Sequence, residues 1–298
     1  MLTVAVTGAT GAQGGATARA LLTAGHRVRA LTRHPDSPAA RALHTLGAEI
    51  RHADFDDPAS LDAALTGADA LFAVTTPFGT ETDTDTEVRQ GRTLVDAAAA
   101  ARLGHVVLTS AAHADRGTGV PHYDSKHRVE RYLYASGLPW TVIAPAAFMD
   151  NHADGWTLSG LREGVFGWPM PADRPFALIP AADIGAFAAL ALTRRSTFLG
   201  RRIDIASDTR TPEQIAAALT TATGRPISHH EVGLDVVRTH SADLAAMFAY
   251  FTTTGLDVDA QAVRRTYPEV GWHTFADWAA GQDWPALLSA ARIDGAPA

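Results

Sequence analysis

The chain of 298 residues contains no cysteine. Disulfides, thiolate nucleophiles and cysteine metal ligands are therefore excluded, although the compartment is not fixed by this. Basic residues are not in excess. Lys and Arg number 25 against 32 Asp and Glu, a formal charge of −7. A nucleic-acid surface normally needs a basic patch, so no nucleic-acid partner is expected. No apolar run reaches the length of a membrane span, and no membrane partner is expected. The N-terminus lacks a basic region before its first apolar run, which speaks against a signal peptide and leaves the cytoplasm as the default expectation. His229-His230 has no partner at metal-ligand spacing, so no metal is expected.

Apolar residues make up 46%, enough for one large α/β domain or for one domain with a smaller lobe. Strand-like runs recur at Leu2–Thr7, Arg27–Thr32, Ala48–His52, Asp69–Val74, His105–Ser110 and Trp140–Ala144. Alanine-rich, helix-like segments separate them. One runs from Ala16 to Ala24, and another from about Glu87 to Leu103. This alternation predicts a parallel sheet with helices on both faces. The acidic, threonine-rich run from Gly79 to Glu87 reads as an exposed loop without chemistry.

The first strand leads into Thr7-Gly8-Ala9-Thr10-Gly11-Ala12-Gln13-Gly14-Gly15. Gly8 permits a tight turn, Gly11 lets the backbone approach a pyrophosphate, and Gly14 lets the following helix pack on the strand. Thr10, Ala12 and Gln13 lie on the same turn, at the N-terminus of that helix. The free N–H groups and positive dipole end there suit phosphate. Strand, turn and helix agree on a dinucleotide site. An NAD site tends to place Asp or Glu at the end of the second strand, on the ribose 2′-hydroxyl. Here Leu31-Thr32-Arg33-His34 offers no acid. Arg33 can pair with a 2′-phosphate instead, so NADP(H) is expected over NAD(H). By position, Asp54 and Phe55 would border the adenine. Thr75, Thr76 and Pro77 would border the ribose and pyrophosphate.

The segment His122-Tyr123-Asp124-Ser125-Lys126-His127-Arg128-Val129-Glu130-Arg131-Tyr132 suits a helix with His122 and Lys126 on one face. Together with T-G-A-T-G-A-Q-G-G at 7–15, L-T-R at 31–33, S-G-L-P-W-T-V-I at 136–143 and P-A-A-F-M-D-N at 145–151, it resembles the NmrA-like family of atypical short-chain dehydrogenase/reductases. The resemblance covers the first 150 residues well and the remainder in outline. It implies a Rossmann-type, doubly wound α/β domain over residues 1–150, with the 179–206 segment added to its sheet. A smaller α+β substrate lobe over 151–298 would follow. Typical short-chain dehydrogenases carry a tyrosine four residues before the lysine, but that position is His122. The resemblance assigns Lys126 to the nicotinamide ribose and to a developing oxyanion. His122 is either the proton donor or a helix-terminal histidine bonded to backbone. Ser110, Pro145 and Phe148 would lie by the nicotinamide, and Phe148, Met149 and Asn151 would line the substrate pocket.

The function expected is NADPH-dependent hydride transfer to a quinone, enone or similar conjugated small molecule. Two alternatives stay open. One is a redox sensor that binds NADP(H) and a protein partner, with homodimerisation also open. The other is a cofactor-assisted isomerase or lyase.

Overall fold

The computed structural model describes residues 1–78 and 83–289. The chain packs as two compact units. One comprises Met1–Pro145 with Ala181–Asp204, and the other comprises, among the described residues, 146–180 with 205–289.

The first unit alternates strand and helix. Its elements are β1 (Thr3–Val6), α1 (Ala12–Thr23), β2 (Arg27–Thr32), α2 (Pro38–Thr45), β3 (Glu49–His52), α3 (Pro58–Leu65), β4 (Ala70–Ala73), α4 (Thr84–Ala100), β5 (His105–Thr109), α5 (Pro121–Ala135) and β6 (Trp140–Pro145). Across the sheet the order is Arg202–Ile205 strand, β6, β5, β4, β1, β2, β3. Every pairing from β6 to β3 is parallel. The chain runs outward from β1 through β2 to β3, then returns to β4 on the other side of β1. That reversal makes the β1/β4 boundary a topological switch point, where the carboxyl ends of a doubly wound sheet leave a crevice. Val4, Ala5 and Val6 are fully buried, as a central parallel strand covered on both faces requires.

Side chains start three of the helices. Ser37 caps α2, Asp57 caps α3 and Asp83 caps α4, each accepting a bond from a first-turn N–H. Two helices begin earlier than the sequence pattern suggested. α1 starts at Ala12, immediately after Gly11, and α4 starts at Thr84. Within the supposed exposed run, residues 79–82 lie outside the described residues. Glu87 corrects that expectation: it is 0% exposed, on the buried stripe of α4 with Val88, Gly91, Leu94, Val95 and Ala98.

The second unit is α+β. The strands Ala147–Phe148, Phe176–Ile179 and Asp208–Arg210 form one sheet, and Val165–Trp168 pairs in parallel with Ser228–Glu231. Its Pro212–Thr223 helix opens on a capping box between Thr211 and Gln214. Its core is aromatic, with Phe166, Phe176, Phe251 and Phe275 fully buried. His152 is buried among these rings. It stacks on Trp168 at 4.8 Å and lies edge-on to Phe275 at 5.1 Å. Its Nδ1 meets the Met149 carbonyl at 3.0 Å, while Nε2 has no partner among the described residues. Burial pushes the imidazole down to about 4, so the ring is neutral.

Among the described residues no helix is long and apolar enough to cross a membrane, and no group of three or more His, Asp or Glu is placed to hold a metal.

Candidate cofactor and active site

The centre of the site is the turn after β1. Thr7 fastens it to the neighbouring strand: Val74 N–H donates to Thr7 Oγ1 at 2.8 Å. Gly8 has φ +56, and a Cβ there would meet Val74 Cγ1 at 2.6 Å. The Gly11 N–H closes the turn onto the Gly8 carbonyl at 2.9 Å. A Cβ on Gly14 would lie 2.3 Å from that carbonyl oxygen, so the helix can pass this close only with glycine there. Gly11 is the N-cap of α1 and no side chain caps the first turn. Gly8, Thr10, Gly11 and Ala12 are exposed. The result is an uncapped helix start with bare backbone around it, the geometry of an anion cradle. Gln13 is held by Thr109, whose hydroxyl donates to Gln13 Oε1 at 2.7 Å. A cavity of about 220 Å³ opens beside the turn, lined by Thr10, Gly11, Arg19, Ala39 and Leu43 among others.

Around this turn the strand ends take up distinct positions. After β2, Arg33 is exposed, and Thr32 Oγ1 accepts from the His34 N–H at 3.1 Å. After β3, Asp54 accepts from the Asp56 N–H at 3.0 Å, closing a local turn, and Phe55 packs half-buried against the core. The Asp56 carboxyl is held below its ordinary range, first by its bond from Arg89, with Arg33 adding a smaller charge effect. After β4, Thr75 and Pro77 are buried and Thr76 is exposed, its hydroxyl accepting from the Phe78 N–H at 3.1 Å.

α5 brings the charged group. Lys126 Nζ donates to Glu87 Oε1 at 2.8 Å and to the Thr75 carbonyl at 3.3 Å. Thr75 Oγ1 donates to the same Glu87 oxygen at 2.9 Å, and Ser125 Oγ donates to Glu87 Oε2. His122, one turn before Lys126, is 5% exposed. Its ring lies 5.1 Å from that of Phe78 and 4.7 Å, edge-on, from that of Tyr123. Ser110, just past β5, is 6% exposed, and its hydroxyl has no partner among the described residues. Pro145 ends β6, its carbonyl accepting from the Ala112 N–H at 2.9 Å.

The first unit thus gathers Gly8, Gly11 and Thr75 after the neighbouring strands β1 and β4, with Gln13 on α1 bonded to Thr109 and Lys126 on α5 bonded to Thr75. Phe148, Met149 and Asn151 belong to the second unit, where they are half-buried, fully buried and exposed, respectively. Three contributors escaped the sequence reading: Glu87, Ser125 and Thr109. The signal for Glu87 was present. With α4 starting at Thr84, Glu87 falls in helical register with Gly91, Leu94 and Ala98, on the apolar stripe.

A dinucleotide fits these residues. The uncapped turn suits its phosphates, and the Ser110 hydroxyl, buried and without a partner among the described residues, leaves a polar group open at a strand end.

Comparison with known proteins agrees with the geometry. A (4-alkanoyl-5-oxo-2,5-dihydrofuran-3-yl)methyl phosphate reductase of Streptomyces griseus is 33% identical over 241 residues, 79% of each chain. An NAD(P)H azoreductase of Xenophilus azovorans is 29% identical over 233 residues, 78% of each. The structure of an NADPH-dependent quinone oxidoreductase of Escherichia coli, solved with NADPH, superposes with a TM-score of 0.77 at 25% identity. The match covers 93% of this chain and 98% of that one. Residues 2–279 match the NmrA-like family, and the chain belongs to it.

Proposed function

We propose that the protein is an NADPH-dependent reductase that delivers hydride to a quinone, enone or similar conjugated small molecule. The observation that carries this reading is the joining of the glycine turn and Lys126 at one strand end. Thr7 is bonded to Val74, and Lys126 is bonded to the carbonyl of the next residue, Thr75. A phosphate cradle and a fixed ammonium therefore flank the switch point of one sheet. The relatives' names support the substrate class, because a quinone, an azo compound and an acyl-furanone are all conjugated acceptors.

When bound, the cofactor supplies the hydride. The chain's residues bind and orient. The first turn of α1 receives the pyrophosphate, and Arg33 receives the 2′-phosphate, which favours NADP(H) over NAD(H). Lys126 has three N–H donors and uses two within the protein. The third serves the nicotinamide ribose, and its charge favours an oxyanion developing on the acceptor. His122, one turn before Lys126 on α5, is the candidate proton donor. The substrate residues of this reading are Phe148, Met149 and Asn151.

Calorimetric titration with NADPH, NADP, NADH and NAD, followed by addition of menadione to the NADPH complex, tests the reading. Tight NADPH binding with loss of the nicotinamide absorbance is expected. Binding without oxidation across a panel of quinones and enones would refute the reductase.

A further inference from the structure

We propose that Glu87 is the positioning residue of this site, a buried carboxylate that fixes the ammonium of Lys126 for the cofactor. The inference rests on the assignment of Lys126 to the cofactor and adds the group that makes Lys126 usable.

A lysine ammonium is a point charge on a flexible four-carbon stem, and alone it does not hold one direction. Here the side chain is 14% exposed and its ammonium is gripped from two sides, by Glu87 Oε1 on α4 and by the Thr75 carbonyl after β4. Those two bonds leave one N–H direction. Glu87 in turn is 0% exposed, a position that strongly disfavours a carboxylate without donors. It has three, from Lys126, Thr75 and Ser125, arriving from two segments of the chain, α5 and the stretch after β4. This over-determined carboxylate is what a flexible cation needs as an anchor. Two charged neighbours on α5 are engaged elsewhere. Glu130, one turn beyond Lys126, accepts from Arg202 at 3.0 Å and from Tyr134 at 2.9 Å, and exposed Arg128 pairs with Asp85 at 3.0 Å. Glu87 is thus the carboxylate bonded to Lys126. It contacts the cofactor only through that lysine.

A double-mutant cycle read by NADPH titration separates positioning from general structure. Glu87→Gln preserves shape and removes the charge. It should weaken NADPH binding about tenfold when Lys126 is present, and by less than about twofold in a Lys126→Ala background, a coupling of the size expected for contacting residues. Glu87→Asp retains the carboxylate one methylene further away. It should recover part of the loss, and it carries the test if Glu87→Gln does not fold. Wild-type affinity in both Glu87 variants would overturn the proposal, as would equal losses with and without Lys126. Menadione reduction is followed in parallel. A wild-type protein that binds NADPH without reducing any acceptor refutes the reductase reading, while the binding cycle still judges Glu87.

Discussion

Glu87 in the first unit and His152 in the second are both fully buried titratable groups, and the chain treats them in opposite ways. Glu87 is surrounded by donors: an ammonium and two hydroxyls. His152 has a backbone carbonyl on one nitrogen, aromatic rings over its faces and, among the described residues, no partner on the other nitrogen. One site sustains charge by supplying counter-groups, and the other suppresses it, with the imidazole pushed down to about 4 by burial. The difference shows where chemistry can be sited. A reaction that develops negative charge needs an environment already built around an ion, which the strand ends of the first unit offer. The aromatic core of the second unit behaves as packing.

Breaking the charged pair should produce the largest effect. Glu87→Ala strips Lys126 of its anion in a setting where little water can replace it, and the expected loss is about 3–5 kcal/mol, read by urea unfolding at pH 7. A loss below about 1 kcal/mol would mean that the pair is solvated like a surface bridge and that the contrast with His152 is false. The histidine side is tested by pH. The folded His152 is depressed to about 4 from an ordinary 6.5, so between those values the unfolded chain binds more protons. Stability is therefore highest above about pH 6.5 and falls as pH drops towards 4, by up to about 3 kcal/mol from this group. His105 in the first unit, likewise lowered to about 4 by burial first and by Arg195 second, adds to the same limb. His152→Phe should leave stability at pH 7 within about 1.5 kcal/mol and make the acid limb distinctly shallower. An unchanged acid limb would show that His152 is not neutral in the fold.

The two units also differ in how much of them was legible beforehand. The strands of the first unit could be read to within a residue or two because most are short apolar runs ended by turn chemistry, as at Ala70–Ala73. The glycine turn was equally clear, since Gly8 and Gly14 each answer a local demand of the backbone. Glu87 was hidden for a physical reason. Its neighbours Asp83 and Asp85 are exposed, so the local composition reads as solvated, and the donors that justify its burial come from residues 12 and 38 positions away. The aromatic surroundings of His152 were illegible likewise, because Phe166, Trp168, Phe275 and Trp278 meet there only through tertiary packing.

Two smaller perturbations sharpen the comparison. Arg33 is exposed, and its substitution should separate binding from stability. Arg33→Ala is expected to weaken NADPH by about 30-fold, the scale of a lost charge-assisted bond, and NADH by little, with the melting curve unchanged. Equal losses for both cofactors would mean that Arg33 does not read the 2′-phosphate.

The smallest effect is expected at Ser125, and it apportions the stabilisation of Glu87. Ser125→Ala removes the donor to Oε2 while Oε1 keeps Lys126 and Thr75. One buried carboxylate oxygen then lacks its hydrogen bond, at a cost of about 1–2 kcal/mol by urea unfolding. NADPH affinity should stay within about twofold, because the ammonium is held from the other oxygen. If Ser125→Ala instead destabilises as much as Glu87→Ala, the hydroxyl and not the ammonium sustains the buried charge. The distinction between the two units would then rest on neutral hydrogen bonding, and Lys126 would be a guest of the carboxylate, no longer the reason for its burial.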